Sequence, residues 1–321
     1  MTDPIKVDVH MHLYPSAESG AWWKTGYEIW EYGAKDGVGF SRYDGTVEDA
    51  LAAMEKAGFG HGVAVNLLSV DLFREEALAM LPPGLPAADR AREAAEIDAT
   101  MADRFRAANR WLVDVLEPIP VLTPYAGVDP WALSPEENVA HLREMADRGA
   151  RGIKLHPVAQ RFEPNDPRMH PIYDACDELG LVVLSHTGSA KGGEAFAEPA
   201  AFGAMLARHP RLRVVLAHLG GGSWRQTLAL ARAFPEVAFD LCEIIEWTGA
   251  PKAPTDEDLA RMIKGIGPER VMLGTDFPWY DLDRTVELVM KLPLLATAEK
   301  EAILGANAMR ILDLPEASQR T

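Results

Sequence analysis

Only two cysteines, Cys176 and Cys242, occur in 321 residues, without the repeated close spacing of a zinc site or a disulfide framework. A disulfide-stapled scaffold is thereby excluded, and both thiols are expected as small buried side chains. Long hydrophobic runs are missing too: LGLVVL at 179–184 falls far short of the roughly 20 residues a membrane span needs. Positive charge is scarce, with 32 Lys and Arg against 48 Asp and Glu and a formal net charge of −16. Such a field repels phosphate backbones and anionic bilayers, and no run of Lys and Arg offsets it locally, so neither nucleic acid nor a membrane is an expected partner. The opening MTDPIKVDVH lacks a charged-then-apolar export pattern, which makes the cytoplasm the expected location. Nucleotide and serine-hydrolase signals are lacking as well. Gly220–Gly222 has no later glycine or lysine of a phosphate loop, and no G-x-S-x-G surrounds Ser185 or Ser189.

What is present is alternation. Short β-branched runs at 7–12, 61–69, 119–128, 150–157, 181–188, 212–220, 237–243 and 270–278 are each followed by a stretch with helical apolar spacing. In the third, Pro120 and Pro124 weaken the strand and WLVDVL at 111–116 competes with it. Helices are expected over 136–148, started by Ser134 and Pro135, and over 168–179, stopped at Gly180. Eight such units suit an α/β fold of the (β/α)8 TIM-barrel type, one domain spanning 1–321, with an insertion at 14–45 after strand one and an extra long helix at 86–110 after strand two.

In such a barrel the C-terminal strand ends carry the chemistry. Here they carry histidines and an acid. His10 and His12 stand two apart on strand one, hence on one face, with Met11 turned outward. His186, His218 and Asp276 close strands five, six and eight behind apolar residues. Neutral imidazoles and a carboxylate are the donors that Zn²⁺ or a similar divalent ion takes, and three or four of them leaving one open position describe a catalytic site. The other histidines read as ordinary: His61 opens a strand, His141 sits within a helix, and His170 and His209 stand at helix ends beside prolines.

RGIKLHP puts Lys154 and His156 together on one face of strand four. A lysine aimed into a barrel is costly unless paired, lowered in pKa or modified. Three readings stand open: a carbamylated Lys154 bridging two metals, a contact to a substrate carboxylate, or an internal ion pair with Asp276 or a neighbour such as Asp240. His156 is a candidate for stacking on substrate or bonding to Lys154.

The ordered set HMH at 10–12, KLHP at 154–157, SHTG at 185–188, AHLGG at 217–221 and GTDFPW at 274–279 resembles the amidohydrolase superfamily. Within it, the resemblance is to the amidohydrolase-related group that includes aminocarboxymuconate-semialdehyde decarboxylase, and it runs from strand one to NAMRIL at 307–312. The resemblance implies that His10 and His12 are the strand-one metal pair and His186 the strand-five ligand. It also implies that His218 assists catalysis, and that Asp276 binds metal and moves protons. It implies one Zn²⁺ per chain, with Mn²⁺ as the alternative, and a homo-oligomer, dimer or larger. GIKLHP departs from the decarboxylase pattern at strand four, and a modified strand-four lysine in binuclear relatives keeps a second metal open.

Two activities fit these residues. In the first, a metal lowers the pKa of its bound water to about 7, Asp276 accepts the proton and His218 orients the water against an amide, ester or lactone carbonyl. In the second, the metal binds a small aromatic or unsaturated acid, His218 protonates carbon and carbon dioxide departs without a redox cofactor. Hydrolysis of a small, carboxylated substrate is the expectation and decarboxylation the alternative; a metal-storing or ligand-binding barrel is a third, non-catalytic class. Trp22, Trp23 and Trp30, with Trp279 and Tyr280, are candidates for an aromatic pocket wall, and Arg161, Lys191 and Arg225 for anion contacts. Glu243 and Glu246 are further candidates after strand seven.

Overall fold

The computed structural model describes residues 5–25 and 31–314; Trp30 lies outside them. Eight parallel strands follow one another in chain order: β1 (Lys6–His12), β2 (Phe59–Val65), β3 (Leu122–Gly127), β4 (Gly152–Leu155), β5 (Val182–Ser185), β6 (Arg213–Leu216), β7 (Ala238–Asp240) and β8 (Val271–Met272). The seam between last and first is drawn together by Val9 N–H donating to Leu273 O at 3.0 Å and His12 N–H to Phe277 O at 2.6 Å. The result is a (β/α)8 barrel.

Every strand falls inside or beside its expected run, and most are shorter. WLVDVL does not compete as a strand, because 111–116 completes the last turns of the helix Ala87–Leu116. Pro124 stays within β3: its carbonyl accepts the N–H of Arg151 at 3.1 Å, so the ladder loses only a donor. The helices start where local chemistry permits. Ser134 accepts from Glu137 N–H while the Glu137 side chain returns to Ser134 N–H, and Thr46 with Asp49 and Thr255 with Asp258 repeat this reciprocal cap. Gly180, at φ 67°, ends the helix His170–Leu179 in the left-handed conformation that glycine takes without penalty.

The two faces of the strands divide the core. Ile153, Leu155, Val183, Val214 and Leu216 belong to a large outer cluster shared with the helices, whereas Val63, Val65, Tyr125, Val182, Leu184, Val215 and Met272 form another with the barrel. Lys154 and His186 share the strand face of Val182 and Leu184, so both project inward above that apolar floor. Of the two expected additions, the first holds the helix Ala17–Thr25, and the second is Ala87–Leu116, preceded by a shorter helix Val70–Ala79. Among the described residues, no helix is long and apolar enough to cross a membrane.

Candidate metal centre and cavity

Beyond an irregularity in the pairing of β1 between Asp8 and Met11, His10 and His12 face the barrel mouth, and both are buried, as is Asp8. His12 Nε2 lies 3.2 Å and His10 Nε2 3.6 Å from the same atom, Asp276 Oδ1. These three side chains bring one donor atom each within 4.8 Å of one another, all buried. Burial lowers the pKa of both imidazoles, keeping them neutral and able to coordinate. Burial pushes the Asp276 carboxyl up, but the His12 hydrogen bond and the nearby imidazoles outweigh it and hold it well below the usual range. Two neutral nitrogens and a carboxylate oxygen converging in a buried pocket fit a divalent ion of borderline hardness.

The tautomers follow from the surroundings. His10 Nδ1 donates to Asp240 Oδ2 at 3.1 Å, an acceptor only, so its Nε2 carries the lone pair that faces Asp276 and accepts from Lys154 Nζ at 2.6 Å. His218 Nδ1 likewise donates to the Cys242 carbonyl at 3.1 Å, which leaves its Nε2 bare. Asp240 Oδ1 also accepts the His218 backbone N–H at 2.8 Å, so one carboxylate orients two site histidines. Burial raises Asp240, but the His10 bond and imidazole dominate and take it down to about 2. His218 drops to about 4, chiefly through burial. Three site residues, His218 at φ 63°, Glu243 at φ 62° and Asp276 at φ 59°, adopt left-handed backbone just past their strands, a strain of about 1–3 kcal/mol each that the closed barrel sustains.

His186 stands beside this group, its ring 4.8 Å from His218, and stacks on His156 at 3.8 Å. Lys154 is fully buried and its pKa is lowered by burial, with Asp276 opposing. Lys154 Nζ contacts His10 Nε2, while Asp240, named with Asp276 in one of the three open readings as its ion-pair partner, is turned toward His10 and His218. A cavity of about 580 Å³ opens over these residues, lined also by Tyr14, Trp22, Trp23, Glu31, Leu72, Val158, Glu243 and Trp279.

Arg161 does not reach the cavity. It is half exposed, with backbone in the left-handed region (φ 50°), and is paired with Asp71 at 3.1 Å and Glu75 at 2.6 Å. Lys191 and Arg225 are also absent from the lining, as are Tyr280, which accepts from Trp247 Nε1 at 2.7 Å, and Glu246, which binds Arg284 at 2.7 Å. Three of the other histidines, expected in solvated or capping roles, are instead buried with polar partners: His61 bonds to Thr123 at 2.8 Å, His141 contacts Asn109 and Glu144, and His209 pairs with Asp174.

Sequence reasoning missed Asp8, which accepts the backbone N–H groups of His10 and Thr275 at 3.0 Å each and the Thr275 hydroxyl, tying β1 to the segment that carries Asp276. Burial lifts its pKa to about 7. A signal existed: Asp8 is an acidic residue inside an apolar strand, two positions before His10. Cys242, expected only as a buried small side chain, has Sγ 3.0 Å from Nδ1 of both His10 and His218. Tyr14 and Glu31 carried no local signal.

A (β/α)8 barrel with a His-x-His pair on its first strand and an aspartate past its eighth defines a class of metal-dependent barrel enzymes. A model of the amidohydrolase family matches residues 77–314, and the chain belongs to that family. It is 27% identical over 210 residues to the 2-amino-3-carboxymuconate-6-semialdehyde decarboxylase of Dictyostelium discoideum, a match covering 56% of this chain; it spans 58% of the length of that relative. Among solved structures, an uncharacterised TIM-barrel protein of Bordetella bronchiseptica superposes with a TM-score of 0.67 at 19% identity, covering 96% of this chain and 98% of the other. A dihydroxybenzoic acid decarboxylase of a Polaromonas species, holding manganese and an inhibitor, superposes with a TM-score of 0.64 at 14% identity, covering 97% of each chain.

Proposed function

We propose that the protein is a metal-dependent, non-oxidative decarboxylase of a small organic acid. The hydrolysis expected first from the sequence gives way to its alternative, which the names of the relatives favour. The observation that carries the reading is a cavity walled by Trp22, Trp23, Leu72, Val158 and Trp279, with one ammonium, Lys154, buried at its floor beside the His/Asp donors. A carboxylate drawn to that ammonium is stripped of water by the aromatic walls, and loss of hydration favours departure as carbon dioxide.

His10, His12, Asp276 and His186 are the residues that would hold one Zn²⁺ or Mn²⁺, which when bound supplies Lewis acidity to a substrate oxygen. His218 Nε2, bare in this tautomer, takes up a proton as substrate enters. The resulting imidazolium is stabilised by Asp240, by Asp276 and by Glu243, whose Oε2 lies 4.0 Å from Nδ1. As the bond to the carboxyl carbon breaks, its electron pair stays on the substrate carbon and accepts the His218 proton. The Cys242 carbonyl holds the ring through Nδ1 throughout, while Asp240 holds the His218 backbone N–H.

The test is product analysis in D₂O with a panel of hydroxybenzoates and unsaturated acids and the Zn²⁺- or Mn²⁺-loaded protein. Carbon dioxide release with one deuterium on the former carboxyl-bearing carbon is the expected result. Solvent oxygen in the product without carbon dioxide release would replace this reading by hydrolysis.

A further inference from the structure

Glu31, on the long connection after β1, is 7% exposed and lines the cavity, yet no role falls to it in the steps above. Its Oε1 accepts two backbone N–H groups, those of Ser189 and Gly222, each at 2.6 Å. These amides lie three residues past His186 and four past His218, so the carboxylate is clamped between the two loops that carry site histidines. The seat is built of glycine. A Cβ on Gly188 would lie 2.2 Å and one on Gly221 2.4 Å from Oε1, and a Cβ on Gly222 would lie 2.7 Å from Glu31 Cγ. Among the described residues, no donor reaches Oε2. Burial raises the Glu31 carboxyl to about 7, against the two amides and Lys252, so it is ionised in mildly alkaline solution.

The charges around the cavity are lopsided. Glu31, Glu243 and Asp276 line it against Lys154, and among the described residues no arginine does. A first substrate carboxylate meets Lys154 at the floor. A second, held off that floor and off any divalent ion at His10, His12 and Asp276 by a rigid ring, would meet Glu31 with, among the described residues, no other cationic side chain lining the cavity, and like charges brought together in a desolvated site oppose binding strongly.

We propose that Glu31 is a specificity-determining residue: pinned by the Ser189 and Gly222 amides, it excludes acids with a second carboxylate and accepts a hydroxyl or amine donor from a monocarboxylic substrate. The inference rests on the acid-substrate reading above and names its substrate class.

Quenching of tryptophan fluorescence reports binding without turnover, since Trp22, Trp23 and Trp279 line the cavity. The Zn²⁺-loaded protein, at about pH 8.5 where this carboxyl is ionised, is titrated with benzoate, 3- and 4-hydroxybenzoate, isophthalate and terephthalate. Wild type is expected to bind benzoate at least about tenfold tighter than either dicarboxylate, and one hydroxybenzoate tighter than benzoate. Glu31→Gln keeps an oxygen for the two amides but presents an NH₂ to the cavity; it narrows the benzoate–dicarboxylate gap to within about threefold and removes the hydroxyl advantage. Dicarboxylates binding wild type within about threefold of benzoate overturn the proposal, as does a Glu31→Gln protein that keeps the full discrimination. If the variant does not fold, as its melting curve would show, the wild-type ratio decides alone. Failure of every acid to bind overturns the acid-substrate reading together with this one, whereas equal binding of all overturns only this one.

Discussion

His61 offers a test of how the barrel interior treats charge, separate from the metal site. It is 2% exposed on the inner face of β2, and its Nε2 lies 2.8 Å from the Thr123 hydroxyl. Burial lowers its pKa from 6.5 to about 4. In the unfolded chain the imidazole takes up a proton near its ordinary value, while the folded chain resists it until about pH 4. Between those values the unfolded state binds more protons, so stability is full above about pH 6.5 and falls as the pH drops toward 4. At pH 5 the difference amounts to about 2 kcal/mol, since each pKa unit is worth about 1.4 kcal/mol. His61→Gln removes the titration and keeps a partner for Thr123. Urea unfolding at pH 7.5 and pH 5 should show wild type losing about 2 kcal/mol more than the variant, or about 3 °C in melting temperature for a chain of this size. Parallel losses in the two proteins would refute the argument, meaning that His61 titrates normally in the fold.

Three further outcomes follow from the site. His218→Gln should lower turnover about 100-fold or more while metal per chain, measured by elemental analysis, is unchanged, because His218 stands outside the His10, His12, Asp276 donor set. Asp276→Asn should reduce bound metal itself, since it weakens the one anionic donor near His10 and His12. Arg161→Ala should leave kcat/KM within about twofold of wild type, as exposed ion pairs such as those to Asp71 and Glu75 contribute little; a large rise in KM would return Arg161 to the substrate site.

The barrel was legible because its alternation is local. Each apolar run and each helical stretch that follows carries its own periodicity, and capping residues such as Ser134 with Glu137 mark helix starts within four residues. The strand ends were legible for the same reason. The extents were not: β7 stops at Asp240 and β8 at Met272, because Glu243 and Asp276 turn into left-handed backbone over the barrel mouth, which side-chain pattern does not encode. The pairing of Arg161 with Asp71 and Glu75 was not legible either, since a position after β4 does not tell which acids it will meet.

By itself, then, the sequence determined the architecture and the donor types, because side-chain chemistry and strand or helix period are properties of short segments. Only the tertiary structure decided the partnerships. Asp240 meets His10 across 230 positions, and Glu31 meets Gly222 across 191. Such pairs arise when closing the ring of strands brings distant loops over one mouth. Burial there keeps His218 neutral, while the His12 hydrogen bond and the neighbouring imidazoles keep Asp276 charged against it.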